Sequence, residues 1–336
     1  MKVGINGFGR IGRDVARILL EGKHPELELV HINASGNLDD LAHLFKYDSI
    51  YGKLLHEIEA TENGFVIDGK SINFTQERDP EKIDWSKDGV EIVIDATGAF
   101  KDMEGLGKHL RGTVKKVILT APGKKLDNTI VMGVNDDTYD KNTQNIISNA
   151  SCTTNCLAPV AKVIEDEFGI ERGLMTTVHA YTGDQMLLDS RHKKDRRRAR
   201  AAALSMIPTT TGAAKAVALV IPSLEGKLTG YALRVPTPTV SVVDVVLELK
   251  KSATVEEVNN ALKKAANGKM KGILGYTEEE LVSVDFTGDE NSSIVDSKLT
   301  LQMGDNMFKI VAWYDNEWGY SMRVVDLAQM VAKAEK

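Results

Sequence analysis

Apolar residues open the chain at strand spacing, with the short run Lys2–Asn6 leading into a cluster of glycines. Beyond the glycines, Ile11, Val15, Ile18 and Leu19 recur every three or four residues, the period of a helix that buries one face. Strand-like runs follow at Leu27–Ile32, Val90–Ala96, Val114–Thr120, Thr129–Val134 and Asn145–Asn149, and Asp102–Gly112 predicts a crossover helix between two of them. Alternating strands and helices predict a mostly parallel sheet covered by helices. The pattern then changes. Leu174–Tyr181, Leu228–Val235, Ser241–Leu249, Leu281–Phe286 and Lys309–Tyr314 alternate or run β-branched, which predicts long strands with few helices. Thr254-Val-Glu-Glu257 predicts a capping box that starts a helix through Ala266. Near the end, Met322, Val325, Ala328 and Val331 share one helical face.

The glycine cluster reads Gly7-Phe8-Gly9-Arg10-Ile11-Gly12, placed between the first strand and the first helix. That context makes G-x-G-x-x-G a dinucleotide-binding signal. Gly7 permits a tight turn, Gly9 leaves room for pyrophosphate, and Gly12 lets helix and sheet pack closely. The helix N-terminus offers backbone donors to the phosphates. A glycine-rich turn of an unrelated α/β protein is the alternative. The fold expected is α/β: a Rossmann-type, mostly parallel sheet domain over 1–151, an α+β catalytic domain over 152–317, and a C-terminal helix, 318–336, returning to the first domain. Thr97, Gly98 and Thr120 follow strand ends and are expected to shape the cofactor floor. The acidic residue expected about 20 residues past the glycines is missing. The second strand ends in Asn33-Ala34-Ser35-Gly36-Asn37 instead, and Asp39 and Asp40 are expected inside the next helix.

Composition narrows the class. A chain of 336 residues suits two domains, and a formal net charge of -6 argues against a general nucleic-acid or membrane binder. No apolar run approaches membrane-spanning length and no leader pattern stands at the start, so the expected location is cytoplasmic. The two cysteines, Cys152 and Cys156, are too few for a structural zinc site, and no metal is expected.

Cys152 falls where a strand gives way to an apolar helix, so it is expected in the first helical turn, where free N–H groups stabilise a thiolate. Cys156 lies one turn deeper and reads as a buried structural thiol. Of seven histidines, His179 closes the run Leu174–Tyr181 and is the candidate base. A satisfied structural histidine is the alternative.

Several segments together resemble the phosphorylating glyceraldehyde-3-phosphate dehydrogenases. They are Gly7–Gly12, Ser151-Cys-Thr-Thr-Asn155, Thr177-Val-His-Ala-Tyr-Thr-Gly-Asp-Gln185, Arg197-Arg-Ala-Arg-Ala201, Pro208-Thr-Thr-Thr-Gly-Ala-Ala-Lys215 and Trp313-Tyr-Asp-Asn-Glu-Trp-Gly-Tyr320. The resemblance implies oxidation of glyceraldehyde 3-phosphate through a Cys152 thioester, with His179 as base and inorganic phosphate as co-substrate. It implies Thr182 and Arg234 around the substrate's phosphate, and Ser151, Thr211 and Gly212, with Thr153 nearby, around inorganic phosphate. It also implies that Asn316 orients the nicotinamide with Tyr320 behind the ring, and that the assembly is a homotetramer in which the loop over 184–205 reaches a neighbour's cofactor. A four-carbon relative, erythrose-4-phosphate dehydrogenase, shares most of this set.

Two departures bear on the cofactor. NAD-specific relatives place Asp where this chain has Ala34, and Leu-Pro before the loop histidine where this chain has Ser190-Arg191-His192. Both favour NADP over NAD, with Ser35 and Arg191 as donors to the 2′-phosphate. A tolerant NAD site with a solvated Arg191 is the alternative. The run Arg191–Arg200 holds seven Lys or Arg and one Asp. It is expected to serve an interface and anion steering, a nucleic-acid patch being the cross-class alternative.

Overall fold

The computed structural model describes all 336 residues, which divide into two compact units. The first comprises Met1–Ile130, Asp136–Ala150 and Ser321–Lys336; the second comprises Val131–Asn135 and Ser151–Tyr320.

In the first unit, β1 (Lys2–Asn6) leads through the glycine turn to α1 (Arg10–Leu20), then β2 (Glu28–Asn33) and α2 (Leu38–Lys46). A small ladder pairs β3 (Tyr47–Asp48) with β4 (Gly52–Lys53). Three strands follow in sequence, β5 (Ile58–Thr61), β6 (Gly64–Ile67) and β7 (Lys70–Thr75). The rest are β8 (Ile92–Asp95), α3 (Met103–Gly107), β9 (Lys116–Leu119), β10 (Asn128–Thr129) and β11 (Ile146–Ser148). The nine-stranded sheet runs β10-β11-β9-β8-β1-β2-β7-β6-β5. It is parallel from β10 to β7 and antiparallel through the last two pairs. Strands β2 and β8 flank β1 on opposite sides, so the chain reverses its winding direction at β1. Loops leaving adjacent strand ends diverge at such a point and open a crevice.

Sequence periodicity missed β5–β7. β5 and β6 are only four residues long and β7 is mostly polar, yet Asp68-Gly69 joins β6 to β7 with φ of 48° and 79°, the geometry of a two-residue hairpin turn. Two expected elements shrink. Asp102 caps α3 by accepting from Gly105 N at 3.0 Å, but the helix lasts only five residues. The run Thr129–Val134 contributes β10 alone, because Asn135 Oδ1 accepts from Val131 N at 2.9 Å and folds 131–135 into a turn.

In the second unit α4 (Cys152–Glu167) is followed by β12 (Ile170–Ala180), β13 (Ile207–Thr210), α5 (Ala213–Val220), β14 (Leu228–Val235), β15 (Ser241–Leu249) and α6 (Val255–Asn267). Then come β16 (Leu274–Thr277), β17 (Ser293–Asp296), β18 (Leu301–Met303) and β19 (Met307–Tyr314). The order is β13-β14-β12-β15-β19-β17-β16, with β18 on β19. Strand β15 alternates buried and half-buried residues along its whole length, as a sheet with one covered face should. Helix α4 packs on β12, β15, β17 and β19 and touches α5 and α6. The capping box of α6 forms as expected, Thr254 and Glu257 each bonding the other's backbone. The expected strand Leu281–Phe286 does not form. Asp285 turns its carboxylate to Val282 N at 2.8 Å, and the segment becomes a single 3-10 turn over Ser283–Phe286.

Helix α7 (Trp318–Ala334) places Met322, Val325, Ala328 and Val331 in the core, and from Ser321 onward it belongs to the first unit. No helix is long and apolar enough to cross a membrane.

Candidate active site

In the first unit the strand ends surround a cavity of about 480 Å³ lined by Asn6, Gly7, Phe8 and Gly9, by Asn33, Ala34 and Ser35, by Glu77 and Arg78, and by Ala96, Thr97, Ala99 and Phe100. Gly7 has φ 98°, outside the range of a side-chain-bearing residue. A Cβ on Gly12 would stand 2.0 Å from the Gly7 carbonyl oxygen, whereas one on Gly9 would meet nothing within 4 Å. Helix α1 therefore starts tight against the turn, with open space over Gly9 and no side-chain cap on its first amides. That cradle fits a pyrophosphate.

Several expected cofactor residues do not reach the cavity wall. Arg10 directs its guanidinium to Asp48 and over the Tyr51 ring, 5.5 Å from the centroid. Thr120 bonds the Asp95 carbonyl through N and Oγ1 at 3.0 and 3.1 Å, so it braces β8 instead. Ile11, Gly12 and Gly98 are not part of the lining, Gly98 lying exposed between Thr97 and Ala99, and Ser190 and Arg191 are exposed on a loop of the second unit. The sequence reading missed Asn6, Glu77, Arg78 and Phe100. Glu77 and Arg78 follow β7, a strand it had not located.

The second unit carries the candidate chemistry. Ser151 caps α4, its Oγ accepting from Thr154 N at 3.1 Å, and Cys152 is the first helical residue. The preceding Ala150 has φ 56°, a costly left-handed conformation that turns the chain sharply from β11 into the helix. His179 lies at the end of β12, nearly fully buried. Its Nε2 stands 3.5 Å from Cys152 Sγ, and its Nδ1 lies 2.7 Å from the Ala180 carbonyl oxygen. Donation from Nδ1 to that carbonyl leaves the Nε2 lone pair facing the thiol.

Register adds a cation. Strands β12 and β14 pair in parallel with His179 opposite Arg234. Arg234 Nη1 donates to the Ala180 carbonyl at 3.1 Å and to Thr182 Oγ1 at 3.2 Å, passing 2.9 Å from His179 Nδ1. A guanidinium cannot accept, so the imidazole cannot donate to it, and the shared carbonyl holds both donors. Arg234 Nε is buried without a partner, a donor left over for an anion.

Burial, then Arg234, pushes His179 down to about 3, so the imidazole rests neutral. Burial also pushes the Cys152 thiol up, and the opposing pull of Arg234 and of Thr153 does not cancel it. Desolvation thus acts against the thiolate that the helix end is expected to stabilise. Cys156 is fully buried, its Sγ 3.5 Å from Ser293 Oγ and 3.6 Å from the Ala312 carbonyl.

Tyr314 is a further member that the sequence hid among the apolar residues of β19. Its hydroxyl lies 2.8 Å from Thr153 Oγ1 and 2.9 Å from Thr177 Oγ1, tying the first turn of α4 to β12. Thr153 is buried, its hydroxyl shared between Tyr314 and the Cys152 sulfur. Ser241 Oγ accepts from Ala180 N at 3.0 Å and donates to Asn316 Oδ1 at 2.8 Å, which fixes the Asn316 amide. Tyr320 is buried on the first turn of α7. Thr211 Oγ1 accepts from Ala213 N at 3.2 Å, and the exposed Gly212 caps α5 with no side-chain bond of its own. Thr182 Oγ1 bonds Asp184, which pairs with Arg198. No group of His, Cys, Asp or Glu is arranged to hold a metal ion.

Comparison with known proteins converges on one family. The sequence profile described as the glyceraldehyde 3-phosphate dehydrogenase C-terminal domain matches residues 151–316, and the NAD binding domain of the same family matches residues 1–103. The glyceraldehyde-3-phosphate dehydrogenase of Priestia megaterium is 58% identical over 99% of this chain and 98% of its own. Glyceraldehyde-3-phosphate dehydrogenase 1 of Bacillus subtilis is 58% identical over the same shares. The chloroplastic enzyme GAPB of Arabidopsis thaliana is 57% identical over 99% of this chain and 75% of its own. The chain belongs to the phosphorylating glyceraldehyde-3-phosphate dehydrogenase family, NAD(P)-dependent oxidoreductases that act through a cysteine thioester.

Proposed function

We propose that this chain oxidises glyceraldehyde 3-phosphate reversibly, with inorganic phosphate, to 1,3-bisphosphoglycerate, using Cys152 as nucleophile and His179 as base. The observation that carries the reading is the 3.5 Å Cys152–His179 contact with the unpaired Arg234 Nε beside it. His179 Nε2 takes the thiol proton as sulfur attacks the aldehyde carbon and returns it to the developing alkoxide, forming a thiohemiacetal on Cys152 and leaving the imidazole neutral again. It then removes the hydroxyl proton as the carbon is oxidised to the thioester. The dinucleotide, when bound, supplies the hydride acceptor. Phosphate attacks the thioester carbonyl, the C–S bond breaks, and the acyl phosphate leaves as the sulfur takes the proton held by His179 and the thiol is restored. Arg234 and Thr182 hold the substrate's phosphate; Ser151, Thr211 and Gly212, with Thr153 nearby, serve inorganic phosphate. Asn316 and Tyr320 serve the nicotinamide end.

For the cofactor, the NAD binding domain profile supports NAD as the first reading. A second reading, acceptance of NADP, is supported by the cavity wall. Ala34 supplies no carboxylate against a 2′-phosphate, and Ser35 and Arg78 line the same cavity. Arg191 belongs to this reading only if a neighbouring subunit delivers it. The family implies a homotetramer, which the open face of the second sheet supports: Leu174 and Met303 are 65% and 73% exposed there. Assaying product formation from glyceraldehyde 3-phosphate and from erythrose 4-phosphate, with and without inorganic phosphate, tests the whole reading. Phosphate-independent turnover favouring the four-carbon aldehyde would defeat it.

A further inference from the structure

Beneath the dinucleotide cavity lies a polar chain that none of the chemistry above uses. Asn33, Asn6 and Asp95 stand side by side at the carboxyl ends of β2, β1 and β8, in register. All three are buried, as are Trp85 and His109. Asn33 Nδ2 donates to Asn6 Oδ1 at 2.8 Å, and Asn6 Nδ2 donates to Asp95 Oδ2 at 2.8 Å. Asp95 Oδ1 accepts from Thr97 N at 3.1 Å and from Thr97 Oγ1 at 2.7 Å. On the far side Trp85 Nε1 donates to His109 Nδ1 at 3.1 Å, and His109 Nε2 faces Asp95 Oδ2 at 3.4 Å.

The direction of every bond is forced. An indole N–H only donates, so His109 Nδ1 must accept and the ring proton must sit on Nε2, aimed at the Asp95 carboxylate. From the other end, Glu77 N donates to Asn33 Oδ1 at 2.9 Å, which obliges Asn33 Nδ2 to donate onward to Asn6 and to the Glu77 carbonyl at 2.8 Å. Two runs of donors, one from Glu77 and one from Trp85, therefore converge on a single buried carboxylate. The 3.4 Å separation between Asn6 Nδ2 and His109 Nε2 then sets two donors side by side, both satisfied by the same oxygen. Asn6, Asn33, Glu77 and Thr97 all line the cavity.

We propose that His109 is a positioning residue for the dinucleotide site: by linking Trp85 to Asp95 it holds the carboxylate that orients Asn6, Asn33 and Thr97 at the cavity floor. This rests on reading that cavity as the dinucleotide site. Because aligned bonds polarise one another around a buried charge, loss of one bridging donor loosens the others. His109 touches none of the reacting atoms, so its loss weakens cofactor binding and leaves the thiol chemistry intact.

The test measures NAD binding by calorimetry, kcat and KM for NAD, and alkylation of Cys152, in wild type, His109→Leu, His109→Gln and Trp85→Phe. His109→Leu should raise Kd and KM about tenfold, the scale of a lost bond to a charged group, with kcat and alkylation little changed. His109→Gln keeps a donor and an acceptor and should recover most of the loss. Trp85→Phe removes the N–H that fixes the ring tautomer, together with part of a buried ring, and leaves His109 in place; it should weaken binding in the same sense, so the idea stays testable if His109→Leu does not fold. Folded His109→Leu or Trp85→Phe protein that binds NAD as tightly as wild type overturns the proposal, as does a fall in kcat at unchanged KM. Wild-type protein that fails to bind NAD would instead overturn the dinucleotide reading on which the proposal rests.

Discussion

The imidazole of His179 points Nε2 at the Cys152 sulfur, 3.5 Å away, while the opposite nitrogen is pinned to a backbone carbonyl. Replacing Cys152 with Ser should abolish aldehyde oxidation, while Cys156→Ser should keep most of it, since Cys156 faces Ser293 in the core. His179→Asn should lower the rate by about 10²–10⁴, the usual range for loss of a general base. Steady-state assays on folded variants decide; equal losses in the two cysteine variants would reverse the assignment.

A buried neutral histidine also makes the fold acid-sensitive. His179 is held at about 3 against an ordinary 6.5, so the unfolded chain takes up a proton that the folded chain refuses. Stability from this residue is intact above pH 6.5, falls as pH drops, and stops falling only below pH 3. Between pH 7 and 4 the wild type should lose about 3 kcal/mol more than His179→Asn. Denaturant titrations at both pH values provide the check, and parallel losses would contradict the depressed titration.

Arg234 bonds the wall of the site through Nη1 and leaves Nε free. Arg234→Leu should raise the KM for glyceraldehyde 3-phosphate about tenfold to a hundredfold, the worth of a charge-assisted bond. Unphosphorylated glyceraldehyde should be affected far less. An equal penalty on both aldehydes would mean that Arg234 acts on the Cys152–His179 pair and not on phosphate.

At the cofactor cavity, Ala34→Asp adds a carboxylate beside Ser35 and Arg78. The ratio of kcat/KM for NADP to that for NAD should drop about tenfold or more, by repulsion of the 2′-phosphate. Arg78→Ala should lower it as well, and Arg191→Pro should do so only in the assembled oligomer. A ratio that stays constant in all three variants would remove the case for NADP.

Tyr314→Phe deletes a hydroxyl shared by Thr153 and Thr177. The buried Thr177 hydroxyl loses its partner and Thr153 loses one of its own, at a cost of about 1–3 kcal/mol. Thermal unfolding reads this directly. An unchanged midpoint would show that the threonines find other partners.

The glycine turn, Cys152 at a helix start and His179 at a strand end were all legible, because each depends on a few consecutive residues. A turn needing φ 98° selects glycine at position 7 whatever the rest of the chain does. The same locality misled at Leu281–Phe286, where β-branched residues promised a strand and a single Asp285 side chain bonded the backbone instead.

Sequence alone thus determined the alternation of strand and helix that opens the first unit, the long strands of the second, the nucleotide signature, the candidate thiol and its base. Tertiary structure alone decided how those groups behave. Arg234 meets His179 only because β12 and β14 pair in that register across 55 residues, and burial there, joined by that charge, neutralises the imidazole. The convergence on Asp95 likewise needs three strands laid side by side. Backbone periodicity is written in neighbouring residues, whereas desolvation and charge act through whatever packing brings near, and no local pattern carries that.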